Sequence, residues 1–300
     1  MHVIDGMNME EVPYFDIFEY ISKIELNASV MSHAEETSQD FANYLQLLFQ
    51  YDASVITLYL ADSFQREMVN SQMIENHYIH LHSIKDDFFF EASNICHEGI
   101  HKIHRICTTE DSNKQKEYRN VPVRVSRMTP KGEFIFWKAP DPVYVEPFMN
   151  DFLKAYKVVN SSMLFSDPFL VSALMHLLFV RIHPYNDGNG RTARVIHNLK
   201  FTESINKLYG KNFKLSPLNI SGSILINKPT YANRINAIYF DLVHDTNDAI
   251  NHWFDFVLNM ADEQIYYNKN RLHQYRDFLK DLEKQRETYT EKRFVKVGKM

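Results

Sequence analysis

No glycine occurs between Met7 and Glu98, and no proline between Tyr14 and Asn120. The two residues that most readily end a helix are therefore missing from the first third of the chain. Apolar residues recur there at helical spacing, as in Ile17, Ile21 and Ile24, and this predicts helix from Asp16 to about Gln50. Ser54 to Leu60 (SVITLYL) has the β-branched content of a strand but helix-forming neighbours, and it too reads as helix. A chain that opens this way builds a mainly α fold.

Composition narrows the class further. Three hundred residues suffice for one large domain or two ordinary ones. Hydrophobic content of 45% and charged content of 24% describe a soluble globular protein. A net charge of -5 gives no pull toward nucleic acid or an anionic membrane, so neither is expected as a partner. The apolar run from Leu170 to Val180 is interrupted by Ser172 and His176 and is too short to span a bilayer. The N-terminal MHVIDGMNMEEVPYF is acidic, unlike a secretory signal. Two cysteines, Cys96 and Cys107, make no disulfide framework, which points to a reduced, cytoplasmic setting.

His97, His101 and His104 lie at helical spacings and could share one face. They lack an acidic second shell or a Cys-x-x-Cys pair, so they read as surface or interhelix polar residues rather than metal ligands. From Tyr118 the pattern changes. Val121 to Val125 and Glu133 to Trp137 flank Thr129-Pro130-Lys131-Gly132, which predicts a β-hairpin over 121–137 with a free edge able to accept an extended peptide. A proline-rich connector, Pro140 to Pro147, follows. Ser166-Asp167-Pro168 is a helix start, and the helix it opens is apolar on nearly every side to Ile182 and must be buried. Leu215 to Ile226 reads as loop-rich, Tyr231 to His244 and Ala249 to Tyr266 as helices, and the residues from Asn268 as a solvated charged helix.

Between the buried helix and the next stands His183 to Arg194, HPYNDGNGRTAR, which holds two of the eight glycines in the chain. The amides that open the second helix have no partners within it, and its dipole favours an anion there. Gly188 and Gly190 let those amides approach phosphate oxygens, and Asn189 can add a side-chain donor. Arg191 and Arg194, three apart, suit a polyphosphate. Asp187 beside phosphates makes sense chiefly as a Mg2+ ligand. His183 is then left as a general base, with an ordinary pKa near 6.5 suited to neutral pH. A P-loop is excluded because no lysine follows the glycines, and a dinucleotide fingerprint because a helix precedes them.

This stretch matches the motif His-x-Phe-x-Asp/Glu-Gly-Asn-Gly-Arg-x-x-Arg, with Tyr185 in place of phenylalanine, and residues 118 to 258 resemble the Fic (filamentation induced by cAMP) family. The resemblance implies a Fic-type helical core with a small β-hairpin flap. It divides the chain into an N-terminal helical region (1–110), a Fic core (111–267) and a charged helical tail (268–300). It implies transfer of AMP from ATP, with Mg2+, to a Ser, Thr or Tyr hydroxyl of a target protein docked on the flap, and it allows a homodimer. In that scheme His183 deprotonates the hydroxyl and Asp187 holds Mg2+. Gly188, Asn189 and Gly190 form the anion hole, Arg191 binds the departing phosphates and Arg194 the γ-phosphate. Tyr239 is the candidate adenine contact. Many relatives are self-inhibited by a helical Ser/Thr-x-x-x-Glu-Gly/Asn whose glutamate pairs with the last arginine. Two candidates arise in the first helical region: Glu25 in ISKIELN, which is preferred, and Glu36 in SHAEET. A Fic-type enzyme with another donor or one that removes AMP, and a non-catalytic antitoxin-like binding module, are the competing classes.

Overall fold

The computed structural model describes residues 3–4, 14–75, 95–108, 117–129, 132–159, 166–238 and 247–297. The expected helix from Asp16 to Gln50 is two helices. α1 (Ile17–Ser22) starts at Asp16, whose carboxylate accepts from the amides of Phe18 and Glu19. α2 (Ala28–Leu48) starts at Asn27, whose Oδ1 accepts from Val30 N at 2.9 Å. Two side-chain caps eleven positions apart impose separate starts where periodicity alone shows one helix. α3 (Ala53–Ile74) takes in SVITLYL as a helix, and α4 spans His97–Thr108.

The hairpin forms, displaced from its expected position. β2 is Arg124–Thr129 and β3 Gly132–Lys138, antiparallel, with Thr129 opposite Gly132 and a register shift between Val125 and Ser126. Val121 and Pro122 stay outside the ladder because Pro122 has no amide to donate and the Val121 carbonyl accepts from Arg119 instead, while the Val123 carbonyl still accepts from Ala139 N at 3.1 Å. A short strand, β1 (Val3–Ile4), pairs parallel to β3, Val3 against Glu133 and Ile4 against Phe134, so the sheet order is β1-β3-β2. One edge of the hairpin, that of β3, is therefore taken over those two residues by the chain itself, and β2 forms the other edge of the sheet among the described residues.

A 3-10 turn (Pro142–Tyr144) leads into α5 (Val145–Val158). α6 (Pro168–Ile182) starts as expected, with Asp167 Oδ1 accepting from Phe169 N at 2.8 Å and Leu170 N at 3.0 Å. Every residue of α6 is buried; at about 1.5–3 kcal/mol for each large apolar side chain, it is the centre of the core. α7 (Asn189–Tyr209) packs along it. Phe41 of α2 meets Phe169 and Phe201 edge-on, at 5.7 Å and 5.3 Å between centroids.

Within the expected loop-rich stretch, Ser221–Ile226 forms a short helix, α8. α9 covers Lys228–Asn236 and is closed by Ala237, short of the helix expected from Tyr231 to His244, of which residues 239–244 lie outside the described residues. α10 is one helix from Asn247 to Val297, so the boundary drawn at 267 falls within a single continuous element. Its Trp253 is fully buried and donates from Nε1 to Ala173 O of α6 at 3.0 Å. Among the described residues, no helix is long and apolar enough to cross a membrane.

Candidate active site

The site is built where α6 stops. Pro184 cannot continue the helix, and His183 closes it in the left-handed conformation, φ 52° and ψ 58°. Among the described residues it is the one non-glycine with positive φ, a conformation that costs of order 1–3 kcal/mol and persists only where neighbours enforce it. Here they do. His183 N donates to Phe179 O at 3.1 Å, and its Nδ1 lies 3.1 Å from Val180 O. Its carbonyl accepts from Arg119 Nε at 2.7 Å. Arg119, buried, also donates to the carbonyls of Val121 and Pro140, and its own amide donates to Pro184 O. One arginine thus clips the end of α6 to the entrance and exit of the hairpin. Trp137, at the end of β3, stands edge-on to the imidazole at 5.2 Å, with Arg181 over its own ring. Nothing in sequence spacing assigned Arg119 this task; the adjacent Tyr118-Arg119 ahead of Pro122 is the nearest signal.

These contacts define the proton inventory of His183. A carbonyl only accepts, so Nδ1 carries the proton and Nε2 keeps its lone pair. The pKa differs from the expected 6.5: it is pushed down to about 4, chiefly by burial and further by the charges of Arg119 and Arg181, against the opposing Val180 hydrogen bond and Glu75. The ring is neutral at pH 7, the form a base requires.

The loop after it turns at Gly188, φ 80°, where an L side chain would be strained. A Cβ there would also collide with Thr108 Cγ2 and lie 3.0 Å from His104 Nε2. Gly188 then precedes α7 without any side-chain cap, leaving the first amides of the helix to an anion. The side chain of Asn189, expected to add a donor to that anion, is bonded within the loop. Its Oδ1 accepts from Tyr185 N at 2.9 Å and its Nδ2 donates to Tyr185 O at 2.8 Å, so it clasps the loop on itself. Asp187 projects into solvent, its side chain 73% exposed, with Oδ2 accepting from Arg191 Nη2 at 2.8 Å.

Arg191 and Arg194 are buried. Arg194 Nε donates to Ser71 Oγ at 2.8 Å, and Nη2 donates to Ser71 O at 2.8 Å and to Glu75 Oε1 at 3.0 Å. Arg191 Nη1 reaches Gln72 Oε1 at 3.3 Å. A Cβ on Gly190 would fall 2.6 Å from Glu75 Oε1, so this carboxylate sits against the opening of α7 as well as on Arg194. The glutamate that meets Arg194 is therefore neither candidate named from sequence. Glu25 lies in the α1–α2 connector, exposed, with its amide and carbonyl tied to Asn247 and Asn251 of α10. Glu36 is exposed on α2 and accepts from Ser32 on its own helix. The missed signal is Ser71-Gln72-Met73-Ile74-Glu75-Asn76, which satisfies Ser/Thr-x-x-x-Glu-Gly/Asn at every specified position.

Tyr239 lies outside the described residues. A different tyrosine, Tyr231 of α9, is buried and hydrogen-bonded to His176 Nε2 at 2.8 Å. On α4, the three histidines have separate partners between helices. His97 bonds Tyr118 and Asn150, His101 bonds the Tyr185 hydroxyl at 2.8 Å, and His104 Nε2 donates to Asp187 O at 2.8 Å. Among the described residues no three His, Cys, Asp or Glu side chains could jointly hold a metal. A cation at Asp187 would draw its other ligands from phosphates and water, the habit of Mg2+. Buried donors fit such phosphates: Arg194 Nη1 and Arg191 Nε have no acceptor among the described residues.

A helical pair joined by a glycine-rich anion loop, with a neutral histidine at its entrance and a hairpin against that histidine, defines the class. Residues 94–200 match the Fic/DOC family model. Over 111 residues the chain is 32% identical to "Protein adenylyltransferase fic-1" of Caenorhabditis elegans, a match covering 36% of this chain and 20% of that protein. The chain thus spans about a fifth of that relative's length. Solved structures share the fold at low identity. A Fic family protein from Desulfovibrio desulfuricans superposes with a TM-score of 0.60 at 16% identity, over 83% of this chain and 76% of that one. A Fic domain-containing signaling protein from Bacteroides thetaiotaomicron gives 0.54 at 18%, over 78% and 97%. Fic-1 of C. elegans (residues 134 to 508) gives 0.52 at 15%, over 80% and 74%.

Proposed function

We propose that the chain is a protein adenylyltransferase held off by its own Glu75. The observation that carries this reading is the pair at either end of the loop: a neutral His183 whose Nε2 no described residue occupies, and an Arg194 whose carboxylate partner comes from α3. Nε2 takes the proton of a Ser, Thr or Tyr hydroxyl on the target. The hydroxyl oxygen attacks the α-phosphorus of ATP, the bond to the β-phosphate oxygen breaks, and pyrophosphate leaves. The opening amides of α7 and the guanidinium of Arg191 stabilise the charge on the phosphates, the usual means of catalysing such transfers. Asp187 would hold Mg2+, which supplies charge neutralisation at the phosphates. Arg194 would receive the γ-phosphate, in the place that Glu75 now takes. A carboxylate there removes the donor and repels the incoming anion.

Charge-assisted hydrogen bonds such as Arg194 to Glu75 are worth about 1.5–3 kcal/mol, so Glu75→Gly should raise AMP incorporation roughly 10- to 150-fold. His183→Ala in that background should lower it about 10²- to 10⁴-fold, the range of a general base. Both are read with α-labelled ATP and Mg2+, by label on the chain itself and on proteins of a host lysate. Transfer that survives His183→Ala overturns the base, and equal labelling with and without Glu75 overturns the inhibition. Label carried over from the γ- but not the α-phosphate would make the enzyme a kinase.

A further inference from the structure

The Asp187–Gly188 peptide of the loop is held from outside the motif, by a histidine. His104, on α4, is 1% exposed, and its ring lies on that of Tyr185 at 3.7 Å between centroids and 18° between planes. Its Nε2 is 2.8 Å from the Asp187 carbonyl, which can only accept, so Nε2 bears the proton. The peptide it holds is the one between Asp187 and Gly188. In a trans peptide the C=O and N–H point oppositely, so a carbonyl pinned to α4 aims the Gly188 amide away from α4. With Gly188 at φ 80°, this peptide precedes a residue that accepts either sign of φ, and exchange between turn types inverts just such a peptide.

Both functions of the loop depend on that orientation. The Asp187 side chain is too exposed for packing to aim it, and the orientation of its backbone and its bond to Arg191 both bear on its direction. The Gly188 peptide in turn leads into the first amides of α7. The fit between helix and loop is close: Gly188 approaches His104 and Thr108 so nearly that no side chain fits between them. We propose that His104 is a positioning residue for the metal loop, locking the Asp187–Gly188 peptide so that the Asp187 carboxylate meets Mg2+ in one orientation.

This rests on the reading of Asp187 as the Mg2+ residue, and the tests separate the two. His104→Phe keeps a ring against Tyr185 and removes the donor; His104→Gln places an amide N–H near the position of Nε2. In the Glu75→Gly protein, the Phe variant should raise the Mg2+ concentration for half-maximal AMP transfer roughly 10- to 100-fold, the usual effect of losing a partner behind a metal ligand. The Gln variant should restore most of it. Binding of Mn2+ with a non-hydrolysable ATP analogue, followed by electron paramagnetic resonance, should shift likewise without any turnover. In the full chain with Glu75 intact, ¹⁵N spectra of the histidine rings should assign His104, by its disappearance in the Phe variant, as the Nε2–H tautomer. An Nδ1–H tautomer, or unchanged metal dependence in the Phe variant, overturns the proposal. If Glu75→Gly transfers no AMP, the adenylyltransferase reading fails, while the tautomer and Mn2+ binding still decide the role of His104. Failure of Mn2+ to bind the unmutated loop overturns both the metal residue and its support.

Discussion

His183 is held in a conformation its residue type disfavours, by bonds that also fix which nitrogen is basic. Burial removes much of the hydration that would stabilise the imidazolium, so its pKa falls to about 4. The acid limb of kcat/KM for AMP transfer reports the base in the free enzyme. For the Glu75→Gly protein that limb should therefore lie clearly below pH 6.5, with transfer persisting into mildly acidic solution. A limb at 6.5 or above would mean that another group is the base. At this scale much was legible in the sequence. The histidine, the acid, the glycines and the arginines each have a chemistry that only a phosphate site uses together. What spacing could not reveal is how a side chain is already committed. Asn189, which looks like a ligand donor, also clasps the loop, and the hydroxyl by which Tyr185 differs from the usual phenylalanine is bonded to His101.

At the level of elements, α3 is the helix that matters. Glu67, Ser71 and Glu75 succeed one another a turn apart along the side that meets the Fic core. Glu67 is the deep anchor: Oε1 accepts from Asn198 Nδ2 at 2.9 Å and from Ser221 Oγ, and Oε2 accepts from Ser221 N at 3.0 Å. A glutamine there has one acceptor where two are needed, so its amide must face either Ser221 N or Asn198 Nδ2, donor against donor. Glu67→Gln should destabilise the protein by about 1–3 kcal/mol in urea unfolding, and by loosening α3 should raise AMP transfer with Glu75 still present. Unchanged stability would show that α3 is held elsewhere. The existence of α3 was legible from the missing glycine and proline, but its partner was not. A Ser-to-Glu spacing occurs on α2 as well, and only tertiary packing decides which helix faces Arg194. The displaced hairpin has a local cause, Pro122, that alternation of apolar residues conceals.

Across the whole molecule, α10 and α2 are stapled by one imidazole. His33 of α2 bonds Asp255 through Nδ1 and Asp262 through Nε2, both at 2.8 Å. Burial opposes its charge, but the hydrogen bonds and charges of Asp262 and Asp255 outweigh it and raise the pKa above 6.5. A group whose folded pKa is raised adds stability that is complete below the unfolded pKa and lost as pH climbs through the folded one. His33→Gln should therefore lower the melting temperature clearly at pH 6 and hardly at all once the pH exceeds the folded pKa. A difference that grows with pH would refute the pairing. Such cross-helix ties, like the continuity of α10 through residue 267, depend on which distant surfaces meet, and no local pattern carries that information.

The position of Glu75 within α3 has one more consequence. It is the residue that closes the helix, φ -89° and ψ 8°, at its carbonyl end. A helix terminus of that polarity repels a carboxylate by about 0.3–1 kcal/mol, while the amide end of a neighbouring helix attracts one by a similar amount. Glu75 is thus electrostatically misplaced on its own helix and well placed on α7. Its attachment is a compromise between two opposed dipoles, and once drawn off α7 it has little reason to keep the last turn of α3 intact. Release would begin as fraying at one helix end, a small and readily reversed motion, with the anchored body of α3 staying where it is.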